Sequence, residues 1–211
     1  QQGHLPAKLA RGRFYMEGFR GVRGGAKKAE KIYQELVAKE YVPAMKELAW
    51  LYTYDMYGMQ DAEKAKALFL KAAYHGEGDA SAFKELAKAY MWGSFRKNRW
   101  GNPWINSEEE QSLKAEEQKE AVYWLTRSAE NGDTEAMRWL GACYRSGVGT
   151  EKNDKTAFYW TQRAADGGDN AAKLELANCY AGGIGVREDM GTAKKLYLEI
   201  NDNIMARIML Q

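Results

Sequence analysis

The sequence predicts an all-α fold, a right-handed α-solenoid of about five helix-turn-helix repeats running through the whole 211-residue chain. Three observations predict it. An Ala-x3-Leu-[Gly/Ala]-x2-Tyr frame recurs in one register. Each copy is followed by a second segment whose apolar residues keep helical spacing. Short Gly-x-Gly or Gly-containing Asp turns stand where one helix should end and the next begin. Hydrophobic residues make up 45% of the chain, enough to fill a continuous core once the hairpins stack.

The clearest pair of copies is Ala136, Leu140, Gly141, Tyr144 and Ala172, Leu176, Ala177, Tyr180, offset by 36 residues. The same frame reads Ala44, Leu48, Ala49, Tyr52 and Ala82, Leu86, Ala87, Tyr90, and a degenerate copy opens the chain as Ala7, Gly12, Tyr15 and Gly18, with Arg11 where Leu is expected. Ala and Leu at i and i+4, with Tyr at i+8, form one apolar stripe, so the tyrosines are expected in the core. Repeat boundaries fall near 7–43, 44–81, 82–135, 136–171 and 172–211.

The second segments begin at Ala29, Ala65, Ala121 and Ala157, each carrying a bulky stripe such as Tyr33, Phe69, Trp124 or Trp160. Tyr and this Ala are 13 residues apart from Tyr52 to Ala65, Tyr144 to Ala157 and Tyr180 to Ala193. Gly147-Val-Gly149 and Gly183-Ile-Gly185 supply left-handed backbone at the end of the first helix, and Asp61, Asn153 and Asp189 are suited to cap the second. Asn131-Gly132-Asp133 and Gly167-Gly168-Asp169 end that second helix.

The third repeat departs from the pattern. Tyr90 and Ala121 are 31 residues apart, so an insertion of 18 falls at about 93–118. It holds Phe95, Arg96, Lys97, Arg99, Trp100 and Trp104, and Ser107 with Glu110 makes a capping box that should start a long helix running through Lys119. The tryptophans either fold back over the edge of the array or project towards a partner, since Trp and Arg dominate interface hot spots.

These frames resemble the Sel-1-like repeat family, relatives of the tetratricopeptide repeats. The family pattern Ala-x3-Leu-Gly-x2-Tyr-x2-Gly-x-Gly-Val-x2-Asp-x2-Lys-Ala-x2-Trp is nearly complete over residues 136–160, good over 172–193, split by the insertion in 82–129 and degenerate in 7–38. By analogy with tetratricopeptide repeats, the resemblance implies a ligand groove lined by the first helix of each pair, at positions two before, two after and five or six after the Leu. Those positions are Lys46, Trp50 and Tyr54, then Lys84, Lys88 and Trp92, then Arg138 and Arg145. With Arg96, Arg99, Trp100 and Trp104 of the insertion they form a basic and aromatic set suited to a protein partner with an acidic surface.

Other chemistries find little support. Lys plus Arg (31) nearly balance Asp plus Glu (29), and the net charge of +2 disfavours nucleic acid. No apolar run is long enough to span a membrane. His4 and His75 have no triad or metal-site neighbourhood, and neither metal nor cofactor is expected. The glycines of 182–186 match the inter-helix turn, no strand precedes them, and a phosphate loop is disfavoured. Cys143 and Cys179 hold equivalent positions in adjacent repeats, about 9–10 Å apart if the helices stack normally, which exceeds disulfide reach and predicts free buried thiols. Some family members bridge the two helices of a repeat by a disulfide, and the partner cysteine for that is absent here.

Function is therefore expected to be binding and not catalysis. The resemblance implies two kinds of binder: an immunity protein that sequesters one bacterial toxin, such as a phospholipase-type effector of type VI secretion, or a general adaptor in bacterial signalling or envelope processes. A hydrolase acting on cell-wall or β-lactam substrates, suggested for some relatives, needs a nucleophile with a base that this sequence does not display. A sequence opening on Gln1-Gln2 is expected to be a processed or trimmed product, and a removed secretion signal would place it in the periplasm.

Overall fold

In the computed structural model the described residues are 4–17, 25–53, 58–75, 79–94 and 107–209, with side chains described throughout these except at 17, 107–110 and 201–209. Among them are ten α-helices and no strand: α1 (His4–Glu17), α2 (Gly25–Val37), α3 (Val42–Thr53), α4 (Ala62–Ala73), α5 (Ala80–Met91), α6 (Ser107–Glu130), α7 (Thr134–Ser146), α8 (Asp154–Asp166), α9 (Asn170–Gly182) and α10 (Met190–Met209). The odd-numbered helices carry the Ala-Leu-Tyr frame and are the A helices; the even-numbered ones are the B helices. The chain forms two compact units, 1–111 and 112–211. In the first, α1 packs on α2, α2 on α3, α3 on α4 and α4 on α5; in the second, α7 packs on α8, α8 on α9 and α9 on α10. This is an α-solenoid of helical hairpins, as the repeat predicts.

The frame residues hold the hairpins together. Ala44, Leu48 and Ala49, Ala82, Leu86 and Ala87, Ala136, Leu140 and Gly141, and Ala172, Leu176 and Ala177 are all buried. Small residues just after the frame Leu let the B helix approach closely. A Cβ built on Gly141 would lie 2.8 Å from the Thr161 hydroxyl and 3.2 Å from the Ala157 carbonyl of α8.

The turns follow the predicted chemistry. Gly147 (φ 73°) and Gly183 (φ 64°) end α7 and α9 in the left-handed region and donate to the Cys143 and Cys179 carbonyls. Asp61, Asn153 and Asp189 then cap α4, α8 and α10 by accepting from the backbone N–H groups of Lys64, Thr156 and Thr192. The same three residues donate their own N–H to the carbonyls of Tyr52, Tyr144 and Tyr180, at 2.8–2.9 Å. One carbonyl per repeat thus fixes the angle between the two helices.

Two expectations need correction. The frame tyrosines are not uniformly core residues: Tyr52 and Tyr90 are buried, whereas Tyr144 and Tyr180 are half-buried. Tyr180 is covered on one side by Phe158, edge to face at 5.5 Å. In the first hairpin the frame slips inward, because Leu9 and Gly12 take the buried positions against α2 while Arg11 is exposed. Gly12 lies so close under the Tyr33 ring that an added Cβ would meet Cε1 at 2.3 Å.

The insertion does produce a long helix. α6 spans 24 residues, about twice the length of α3, α4 or α5. Residues 111–116 of it are all exposed, and only from Ala121 does it bury a stripe of Ala121, Trp124, Leu125, Ser128 and Ala129.

Candidate functional site

The predicted groove positions fall on the A helices, and the structure shows what holds each of them. Lys46 on α3 donates to Asp79 Oδ2 at 3.0 Å and to Ser81 Oγ at 2.9 Å. Asp79 is the N-cap of α5, and its other oxygen accepts from the Ser81 N–H. In the second unit Arg138 on α7 donates to Asp169 Oδ2 at 3.0 Å, while Asp169 Oδ1 caps α9 through the Ala171 and Ala172 N–H groups. The same device occurs in both units. One carboxylate caps an A helix and neutralises the cation two residues before the frame Leu of the preceding A helix.

A second row of bonds lies further along the A helices. Arg13 donates to Glu47 at 2.6 Å, Trp50 Nε1 to Glu85 at 2.8 Å, and Arg145 faces Glu175 at 3.6 Å. Glu47, Glu85 and Glu175 each stand just before the frame Leu, so the acceptor side recurs in register. Sequence reasoning missed these acids. Their signal was legible as a repeated Glu-Leu pair at 47–48, 85–86 and 175–176. It also missed Leu174, which holds the position of Lys46 and Arg138 in the fifth repeat and is 46% exposed.

The predicted cations therefore act first as inter-hairpin ties. Such partly exposed pairs contribute modestly, about 0–1 kcal/mol each, and they lower the net positive charge of the face.

The aromatic half of the prediction stands differently. Trp50, Trp92, Lys88 and Glu85 converge in the first unit. The Trp50 ring meets Phe69 edge to face at 5.1 Å and Trp92 at 5.5 Å with a 44° tilt. Lys88 reaches both Glu85, at 3.4 Å, and the face of Trp92, 5.8 Å from its centroid. Trp92 ends α5 as its C-cap and remains 43% exposed. Lys84 lies half-buried on the same helix. Tyr54, Arg96, Arg99, Trp100 and Trp104 lie outside the described residues.

Cys143 and Cys179 are free and buried. Burial pushes the Cys143 thiol up to about 11, and burial also raises that of Cys179. Neither carries the thiolate character of a nucleophile. Among the described residues no group of three His, Cys, Asp or Glu could hold a metal ion, and no helix is long and apolar enough to cross a membrane. His4 lines a surface cleft of about 380 Å³ with Ala7, Lys8 and Arg11; Lys8 there is paired with Glu35, whose carboxyl it holds below the usual range.

The Sel1 repeat profile matches residues 42–77, 112–133, 134–169 and 170–199. The chain belongs to the Sel1 repeat family. Its repeats generally serve as protein-interaction scaffolds. The matched Sel1 segments leave out α5, which keeps Ala82, Leu86, Ala87 and Tyr90 but is cut from its B helix by the insertion. Among solved structures, a Sel1 repeat protein from Oxalobacter formigenes is 25% identical, with a TM-score of 0.67 over 94% of this chain and 73% of that one. The protective antigen c5321 of uropathogenic Escherichia coli, described as having an SLR fold, is 24% identical at a TM-score of 0.40, over 96% of this chain and 46% of that one. The Pseudomonas aeruginosa protein PA5086 is 18% identical at 0.40, over 84% and 74%. No curated protein matches the chain in sequence.

Proposed function

We propose that this Sel1 repeat chain is a non-catalytic binder that holds one partner protein against the A-helix face of α3 and α5, with Trp92 as the anchor. The observation that carries this reading is the state of Trp92. A large indole left 43% exposed would ordinarily be mobile; this one is braced by Trp50 and Lys88, and Trp50 is in turn fixed by Glu85 and Phe69. A pre-ordered aromatic loses little side-chain entropy on binding, which is what makes Trp an effective hot spot.

The partner's form is part of the proposal. Of the features that set this chain apart from a regular array, Trp92 immediately precedes the insertion in the third repeat and the exposed residues 111–116 of α6 lie within it. Individual features of that kind suit recognition of one dedicated partner, and we infer sequestration of a toxic or regulatory effector in a one-to-one complex. Co-purification from the native cell, followed by calorimetry with the captured protein, tests it. Trp92→Ala should weaken the complex by about 2 kcal/mol or more, roughly thirtyfold, with the helical circular dichroism unchanged. Unaltered affinity of that variant would remove Trp92 from the interface, and failure of co-expression to protect cells from the captured protein would remove the inhibitor reading.

A further inference from the structure

Positive charge is concentrated at the first hairpin. Residues 1–31 hold eight Lys and Arg against two Glu, which leaves 23 against 27 for the other 180 residues of a chain with 31 and 29. On the later A helices the groove cations are tied down: Lys46 to Asp79, Lys88 to Glu85, Arg138 to Asp169 and Arg145 to Glu175. In the first hairpin Arg11, Lys27 and Lys31 are exposed, and they make no hydrogen bond or ion pair among the described residues.

The packing of α1 on α2 brings these cations to one side. Lys8 pairs with Glu35, and Lys28 lies over the Tyr15 ring, 5.6 Å from its centroid. The two contacts are seven residues apart on each helix, so the helices run antiparallel in one register and Arg11 stands level with Lys31. Lys8 foremost holds the Glu35 carboxyl below its usual range, and Lys31 and Arg11 act on it too. Three cations thus surround one carboxylate, and Lys27 continues the row one turn along α2. The other described acids nearby are engaged. Glu30 accepts from the Tyr52 hydroxyl at 2.8 Å, and Glu47 takes Arg13 at 2.6 Å.

The outer side of α1 also carries an apolar group. Phe14, three residues after Arg11 and so beside it on the helix, is 68% exposed, more than any other large hydrophobic side chain described. Ala7 and Ala10 before it are exposed as well, and leave the ring standing clear. Back along the helix from the ring, His4, Ala7, Lys8 and Arg11 line the cleft of about 380 Å³. A basic cleft, a row of unpaired cations and a projecting phenyl group match the two layers of a phospholipid surface, headgroup phosphate and acyl chain. A soluble polyanion would meet the cations but offer the phenyl no apolar phase to enter.

We propose that the first hairpin docks on an anionic phospholipid surface, with Arg11, Lys27 and Lys31 against the headgroup phosphates and Phe14 reaching the acyl boundary. The contact is peripheral, since among the described residues no helix is long and apolar enough to cross a membrane. Each cation held near such a surface strengthens binding about fivefold, and a phenyl group withdrawn from water adds roughly tenfold or more. The site is separate from the Trp92 anchor, and it stands or falls independently of the partner protein.

The test is co-sedimentation of the intact chain with vesicles of phosphatidylcholine containing about one-third phosphatidylglycerol. Binding is expected there and not to phosphatidylcholine alone, and it should weaken between ~50 and ~300 mM salt. Arg11→Gln/Lys31→Gln and Phe14→Ser should each lose about tenfold or more, while Trp92→Ala binds unchanged. Thermal midpoints measured alongside confirm that the variants fold, and Lys27→Gln/Lys31→Gln, on exposed positions of α2 alone, supplies a second pair. Phe14→Trp should add fluorescence that lipid with brominated acyl chains quenches beyond the wild-type level. Absence of sedimentation, equal binding to phosphatidylcholine alone or equal binding by the folded variants would overturn the proposal. So would Phe14→Trp fluorescence that the brominated lipid leaves unquenched while polyglutamate or a thymidine oligonucleotide binds, which would assign the patch to a soluble polyanion.

Discussion

Individual residues in this chain do more than one task, and Asp169 shows it most clearly. One oxygen caps α9 and the other holds Arg138 of α7. Asp169→Ala should lower stability in urea by about 1–2 kcal/mol, as a lost cap does, whereas Arg138→Ala should cost under about 1 kcal/mol because the cap survives. The cap at Asp189 adds a pH dependence. Its carboxyl is held below the ordinary 3.8 by the Thr192 backbone N–H and hydroxyl. A depressed folded pKa contributes stability above the unfolded value, and that contribution is lost as pH falls through the folded one. The thermal midpoint should therefore drop below about pH 4, and Asp189→Asn, which still accepts the N–H bond, should flatten that drop. The cysteines give the opposite sign. With the Cys143 thiol raised to about 11, the folded chain should react with a thiol reagent at pH 8 far more slowly than the urea-unfolded chain. The residue types of the candidate site were legible in the sequence, but their engagement was not. The partners of Lys46, Trp50, Arg138 and Arg145 lie 30–35 residues away on the next A helix, and a single-repeat pattern says nothing of what stacking brings opposite them.

At the scale of the helix and its turn, the sequence spoke more fully. Ala, Leu and Gly at fixed offsets leave one way to pack a hairpin, and Gly-x-Gly followed four residues later by Asp or Asn leaves one way to turn it. The second glycine of that turn has a stricter role than its conformation alone implies. Gly149 and Gly185 both have positive φ, and a Cβ on Gly185 would stand 1.9 Å from the Asp154 carbonyl, as one on Gly149 would stand 2.2 Å from that of Gln118. Each turn is thus pressed onto the preceding B helix, with no room for a side chain. Gly149→Ala and Gly185→Ala should each cost more than the roughly 1–3 kcal/mol of backbone strain, since main chain must also move. At Gly132 and Gly168, whose φ is positive but where nothing lies within 4 Å of an added Cβ, the same change should cost only the strain. Chemical denaturation of the four variants separates the two classes. What sequence could not give at this scale was the degenerate first hairpin, where Tyr33 over Gly12 displaces the frame and leaves Arg11 outside.

Across the chain, stability in an array of this kind is a sum of hairpin terms and nearest-neighbour interfaces, because each hairpin touches only those beside it. Leu140 is fully buried between α7 and its neighbours. Cutting it to Ala should cost about 2–5 kcal/mol, a large share of the 5–15 kcal/mol typical of a whole domain. The damage should not spread evenly. Amide hydrogen exchange in Leu140→Ala should accelerate most in α7, α8 and α9, which pack directly on one another, and least in α3 and α4 of the other unit. An array built this way can yield one part of its surface to a partner, or lose it to mutation, while the remainder keeps its shape. Equal acceleration in α3 and α4 would mean that the two units unfold as one body, and that a binding event on either would be felt throughout.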